Sequence, residues 1–278
     1  MRFDDPQWCE AEYNPRLIVA DAATYAPKWT AWAKEARARL APLADRRYGD
    51  HVREIMDVFR APDARGALVF IHGGYWRGFS KQEFSWVAET LVAQGITVAV
   101  LNYPLCPEVT VADIVSSCRH AVLSLLTTHL SAVEKDHLVV AGHSAGGYLT
   151  AAMTGTDWTS FGLAQSPFKG GVPISGVFDP TPLINTSINE QARFTKESAA
   201  ALNLFTHPPR FAVPLLPVYG ADESAEFHRQ SQDIAKLWPA VEPAVGMTGR
   251  NHFSVVEDLR EEQSLITKTI LRFVTASR

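Results

Sequence analysis

Short, wholly apolar runs alternate along this chain with longer stretches in which apolar residues recur every three or four positions. The first pattern is that of strands buried on both faces, the second that of helices with one face on a core. The runs REIMDVF (53–59), GALVFIHGG (66–74), ITVAVLNY (96–103), HLVVAGHS (137–144), GGVPISGVFD (170–179) and PLLPVYGAD (214–222) read as strands, with EPAVG (242–246) as a last short one. Between them, residues 81–94 carry Phe84, Val87, Leu91 and Val92 at helical spacing. Helices are likewise expected over 110–129, from Ala145 onward, and over 261–274. Residues 15–45, with Trp29, Trp32, Leu40 and Leu43 among alanines and charges, predict one or two helices ahead of the main fold.

Strands that alternate with helices predict an α/β architecture, a mostly parallel sheet covered on both faces. Residues 180–212 interrupt the alternation and are expected to form helical excursions over the carboxyl ends of the strands, a lid or pocket wall. No repeat, low-complexity tract or Gly/Ser linker divides the chain, so residues 1–278 are expected to form one domain, with 1–50 as a helical extension.

Composition narrows the function classes. The 278 residues are 46% hydrophobic and 20% charged, ordinary for a globular protein with a sizeable core. A formal charge of -4 with no basic run argues against nucleic acid. The acidic start MRFDDPQWCEAEYN lacks the apolar core of a signal peptide, and no apolar run is long enough to span a membrane. Three scattered cysteines, Cys9, Cys106 and Cys118, make no disulfide framework, and Cys118 in its apolar stretch reads as core. A cytoplasmic protein acting on a small molecule, with no membrane partner, is expected; a homodimer remains open. There is no clustered His/Asp/Glu set for a metal, and no cofactor is expected.

The chemistry concentrates at Val139–Gly147, VVAGHSAGG. Gly142 and Gly146 flank Ser144 in the spacing G-x-S-x-G, with a strand before and a helix after. A serine on so tight a turn needs neighbours without a β-carbon, and the following helix points its amides and positive end at the hydroxyl. His143, adjacent on the turn, reads as scaffold. Serine needs a base, and the base needs a carboxylate to orient it. Of the histidines after Ser144, His207 precedes two prolines in the lid, and His228 lies in the helix-like SAEFHRQSQDIAKLW, facing solvent. His252 sits in the loop GMTGRNHFSVVED and is the expected base. Asp222, directly after PLLPVYGA, is the expected carboxylate; Asp179 and Glu223 are its rivals.

The loop after the strand GALVFI reads His72-Gly73-Gly74-Tyr75-Trp76. Its amides at Gly74 and Tyr75, with that of Ala145, are candidates to hold a tetrahedral oxyanion, with His72 as scaffold. Trp76, Tyr148 and Phe178, each near one of these loops, are candidates for an aromatic wall around substrate.

Together HGGYW, GHSAGG, SGVFD, GADESAEFHRQS and NHFSVVEDL resemble the serine-dependent arylformamidases, or kynurenine formamidases, of the α/β-hydrolase fold. The resemblance covers roughly residues 53–275, with the segments in the same order, and HGGYW is its most specific part. It implies an α/β-hydrolase fold, a catalytic triad of Ser144, Asp222 and His252, and an oxyanion site at Gly73, Gly74 and Tyr75. It further implies hydrolysis of N-formyl-L-kynurenine to kynurenine and formate. The alternatives are an esterase or amidase of broad specificity on short-chain or aromatic esters, and a non-catalytic binding protein, which would typically lack a triad member.

Overall fold

Gly66–Ile71, Ile96–Leu101 and Leu138–His143 are buried at every residue, as uninterrupted apolar runs require at the centre of a sheet. In the computed structural model, which describes residues 2–276, they belong to an eight-stranded sheet. Its strands are β1 Leu43–Arg47, β2 Ile55–Phe59, β3 Gly66–Ile71, β4 Ile96–Leu101, β5 Leu138–His143, β6 Phe168–Ile174, β7 Val218–Gly220 and β8 Val245–Met247. Their order is β1-β2-β4-β3-β5-β6-β7-β8. The six strands from β3 to β8 run parallel, whereas β2 is antiparallel to both β1 and β4.

Side chains alternate across the sheet with period two and build a core on each face. Val69, Ile71 and Val140 enter one, with Leu149 of the helix Ala145–Gly155 and Ile114 of the helix Val111–Ser124. Leu68, Phe70 and Val139 enter the other, with Trp29 of the helix Ala22–Leu40 and Phe273 of the helix Leu265–Thr275. Cys118 is wholly buried in the first core.

The expected elements are present with adjusted ends. The helix expected over 81–94 is broken into Lys81–Phe84, a tighter turn Ser85–Val87, and Ala88–Ala93; that over 110–129 keeps α geometry through Ser124 and widens over Leu125–His129. Residues 180–212 form only short helical turns, Thr181–Asn185, Asn189–Ala192 and Lys196–Ala201. Within the helical extension expected over 1–50, a helix Pro6–Tyr13, capped by Asp5, precedes the stretch read as helical from residue 15, whereas residues 43–47 depart from it and form β1 at the sheet edge. The LADRR strand is exposed at all five residues, so it carries no apolar signal.

The N-terminal segment is bound across the molecule. Tyr13 Oη donates to Glu226 Oε2 at 2.5 Å, Ser224 Oγ donates to the Glu12 carbonyl at 2.6 Å, and Gln230 Nε2 donates to Tyr13 Oη at 3.1 Å. These bonds hold the chain around residue 14 beside the carboxyl ends of the strands.

Candidate active site

Ser144 follows the last residue of β5 and precedes the helix Ala145–Gly155, with φ 56° and ψ −116°. A serine at positive φ is strained and persists only where its surroundings enforce it. The enforcement is visible. A β-carbon on Gly146 would collide with the carbonyl oxygens of Ile71 and His72, and one on Gly142 with that of Gly146, while the Ser144 amide donates to the Ile174 carbonyl at 2.8 Å. The strand-to-helix turn is therefore wedged against β3 and β6, and the hydroxyl is presented at the carboxyl edge of the sheet.

His252 meets it there. His252 Nε2 lies 3.1 Å from Ser144 Oγ, and His252 Nδ1 lies 2.7 Å from Glu223 Oε2. An ionised carboxylate only accepts, so Nδ1 carries the proton, and Nε2 is left as an acceptor facing the serine hydroxyl. Glu223 is itself fixed, with no side-chain exposure, and its Oε1 accepts from the Gly220 amide at 2.6 Å and from Ser175 Oγ at 2.5 Å. The imidazole packs against Phe227, centroids 4.5 Å apart, and against His143 at 4.9 Å. Burial, then the neighbouring His252, holds His143 well below the ordinary histidine pKa. As a neutral ring its Nε2–H donates to the His252 carbonyl at 2.7 Å. His143 is scaffold, as its place on the turn suggested.

The carboxylate is a correction: Glu223, not Asp222, reaches His252. The Asp222 amide donates to the Arg250 carbonyl at 3.0 Å, its residue is exposed, and its side chain has no partner among the described residues. The next residue turns back, its amide donating to the Gly220 carbonyl at 3.1 Å, so the longer Glu223 side chain swings under the ring. Asp179 is turned to the backbone instead, its Oδ1 accepting from the Thr181 amide at 2.9 Å. His207 is exposed and bonded to the Asn203 carbonyl at 2.8 Å. His228, half-buried rather than solvent-facing, packs on Tyr219 with centroids 4.5 Å apart.

The HGGYW loop folds over the serine. Gly74, Tyr75 and Trp76 have φ values of 108°, 49° and 56°. Glycine at 73 lets the loop approach closely, since a β-carbon there would lie 2.7 Å from the His143 carbonyl and 3.1 Å from Ser144 Cβ. The amides of Gly73, Gly74, Tyr75 and Ala145 donate to no acceptor among the described residues. Beneath the loop, His72 Nδ1 lies 2.7 Å from the Gly73 carbonyl, and burial lowers its pKa to about 3, so the neutral ring donates that proton. Tyr103 stacks on His72 at 4.2 Å and donates to the His72 carbonyl at 2.8 Å, and the Tyr75 hydroxyl donates to the Tyr13 carbonyl.

A cavity of about 450 Å³ opens over Ser144 and His252, and its walls differ from those expected. Trp76, Tyr148 and Phe178 do not line it. Trp76 is fully buried edge-on to Tyr148 and Phe194, and Phe178 packs with Ala151, Leu215 and Trp238 beneath the site. The positive φ at Trp76 turns its indole away from the serine and into the core. The aromatic wall is instead Trp29, Tyr75, Phe79 and Phe253; Asn14, Pro15 and Arg16 close one side, and Ile188 and Gln191 another. Phe79 follows HGGYW by three residues and Phe253 adjoins His252, so a closer reading of those loops could have found both. Nothing near residues 14–16 signals their place, because the bonds that hold them come from residues over 200 positions away.

A hydroxyl, a correctly protonated imidazole, a buried carboxylate and unpaired amides around one cavity are a set that can transfer an acyl group. A family model described as alpha/beta hydrolase fold matches residues 68–237, and the chain belongs to that family. It is a hydrolase of the α/β-hydrolase fold. Kynurenine formamidases of Danio rerio and Salmo salar are 29% and 28% identical to it, each over 98% of this chain and 95% of the relative. A crystal structure from silicibacter sp. tm1040, provisionally described as a thioesterase, is 30% identical with a TM-score of 0.85, covering 94% of this chain and 98% of that one. An esterase from Pyrobaculum calidifontis, 19% identical with a TM-score of 0.67 over 91% of this chain and 94% of that one, shares the fold. Among the described residues no helix is long and apolar enough to cross a membrane, and no group of His, Cys, Asp or Glu could hold a metal ion.

Proposed function

We propose that the chain is a serine hydrolase that removes a small acyl group from an arylamine, with N-formyl-L-kynurenine as substrate and kynurenine and formate as products. The observation that carries this reading is the relay from Ser144 Oγ to His252 Nε2 at 3.1 Å and from His252 Nδ1 to Glu223 Oε2 at 2.7 Å, in a chain whose full-length relatives include kynurenine formamidases. His252 takes the Ser144 proton as the oxygen attacks the formyl carbon, and Glu223 stabilises the imidazolium. The tetrahedral oxygen is held by the amides of Gly74, Tyr75 and Ala145. His252 then protonates the departing arylamine nitrogen. Water, deprotonated by the same imidazole, attacks the acyl-serine, and formate leaves as Ser144 recovers its proton.

An esterase with the same machinery is the second reading, favoured by the esterases that share the fold. Measuring kcat/KM on N-formyl-L-kynurenine and on p-nitrophenyl acetate separates the two. The formamidase reading predicts the larger value for the formamide, although the ester is intrinsically more reactive. A formamide value a hundredfold or more below the ester's would overturn it.

A further inference from the structure

The cavity over Ser144 carries a one-sided charge. Arg16 and Arg77 line it, no Asp or Glu does among the described residues, and neither guanidinium has a carboxylate within ion-pair distance. Glu10 is close enough to Arg77 to feel its charge, but its oxygens are occupied: Asn14 Nδ2 and the Ser187 amide donate at 2.7 Å and Ser187 Oγ at 2.8 Å. Arg16 comes from the N-terminal segment and Arg77 from the loop that continues HGGYW, so two distant parts of the chain each bring a cation to the same cavity. Trp29, Phe79 and Phe253 supply the flat apolar surface beside them.

Two unpaired guanidinium groups next to an aromatic slot are a receptor for an aryl compound carrying an anion on a side arm. We propose that Arg16 and Arg77 determine specificity by binding a carboxylate on the leaving group of the substrate. The site therefore selects acyl arylamines that bear an acidic arm over neutral ones. Since no acidic side chain lines the cavity among the described residues, an ammonium group on the same arm goes unread. This rests on Ser144 as the reacting centre and adds to that reading what the pocket selects.

The test compares N-formyl-L-kynurenine, its des-amino acid 4-(2-formamidophenyl)-4-oxobutanoate, and the carboxamide of that acid. The wild-type enzyme should cleave the first two with kcat/KM within about threefold and the carboxamide about tenfold more slowly through KM, the low end for a charge-assisted hydrogen bond at a partly solvated site. Arg77→Gln and Arg16→Gln should pull the acid-to-carboxamide ratio from about ten toward one. Arg77→Lys should recover part of it, as a charge but not a purely structural guanidinium would. A wild-type ratio near one, or variants that lower acid and carboxamide alike, overturns the proposal. Should none of the three substrates be cleaved, the formamidase reading falls and the inference is read by protection. The des-formyl, des-amino acid should then shield Ser144 from a fluorophosphonate at about a tenth of the concentration its carboxamide needs; equal protection overturns it.

Discussion

Replacing Glu223 with Gln tests the internal geometry of the site most sharply, because it removes one charge and one lone-pair pattern while keeping the side chain's shape. Glu223 Oε2 accepts from His252 Nδ1 at 2.7 Å, and Oε1 accepts from the Gly220 amide and Ser175 Oγ. The glutamine oxygen can keep the bonds from Gly220 and Ser175, which leaves its NH₂ facing Nδ1. Nδ1 must then accept, the ring proton moves to Nε2, and the imidazole presents a donor to Ser144 where it should present an acceptor. The equivalent change in a serine-protease triad lowers kcat about 10⁴-fold through this tautomer switch. At about 1.36 kcal/mol per factor of ten, the barrier rises by about 5 kcal/mol. The assay is kcat on p-nitrophenyl acetate and on N-formyl-L-kynurenine, beside a thermal melt showing that the fold persists. Asp222→Asn is the control: its exposed side chain has no described partner, so kcat should stay within about twofold. Glu223→Gln retaining more than a tenth of wild-type kcat, or Asp222→Asn losing as much as Glu223→Gln, would refute the reasoning.

The neighbouring carboxylates also show where legibility in the sequence ends. Ser144 and His252 could be found because local pattern constrains them: a glycine-flanked serine between strand and helix, and a histidine in the loop that follows the last strand. The central strands could be read because burial on both faces leaves an unbroken apolar run. Asp222 and Glu223 both follow β7, however, and which one turns inward is decided by amide bonds to Arg250 and Gly220 that leave no mark in composition. For a like reason aromatic residues near the catalytic loops were expected in the pocket. Trp76 and Phe178 pack into the core, while Trp29, some 115 residues before the serine, reaches the cavity. The N-terminal wall and the polar strand β1 depend on tertiary contacts alone.

Three further outcomes follow from the packing. Phe178→Ala should lower stability by about 3–5 kcal/mol in urea unfolding, as for a large buried ring, and leave KM unchanged, whereas Phe79→Ala in the cavity wall should raise KM; the reverse assignment would restore Phe178 to the pocket. Asp57, with no side-chain exposure, pairs with Arg37 and with Lys81 Nζ at 2.8 Å and accepts from the Asp45 amide at 2.9 Å. Asp57→Ala removes a buried partner from all three, leaving Lys81 only the exposed Asp45 carboxylate at 2.7 Å, and should cost about 3–5 kcal/mol by the same measurement; a loss below about 1 kcal/mol would contradict it. Burial lowers the pKa of His72 from 6.5 to about 3, so the unfolded chain binds the extra proton between those values. Stability should therefore fall as pH drops through that window, at up to about 1.36 kcal/mol per pH unit, and His72→Asn should flatten the slope of the urea midpoint against pH.

The account as a whole is tested most directly by exposing the enzyme to a fluorophosphonate and mapping the adduct by peptide mass spectrometry while residual hydrolysis is followed. A single adduct on Ser144, its stoichiometry rising in step with loss of activity and absent from Ser144→Ala, is the predicted result. Full activity with Ser144 modified, or inactivation with the label on another residue, would contradict it.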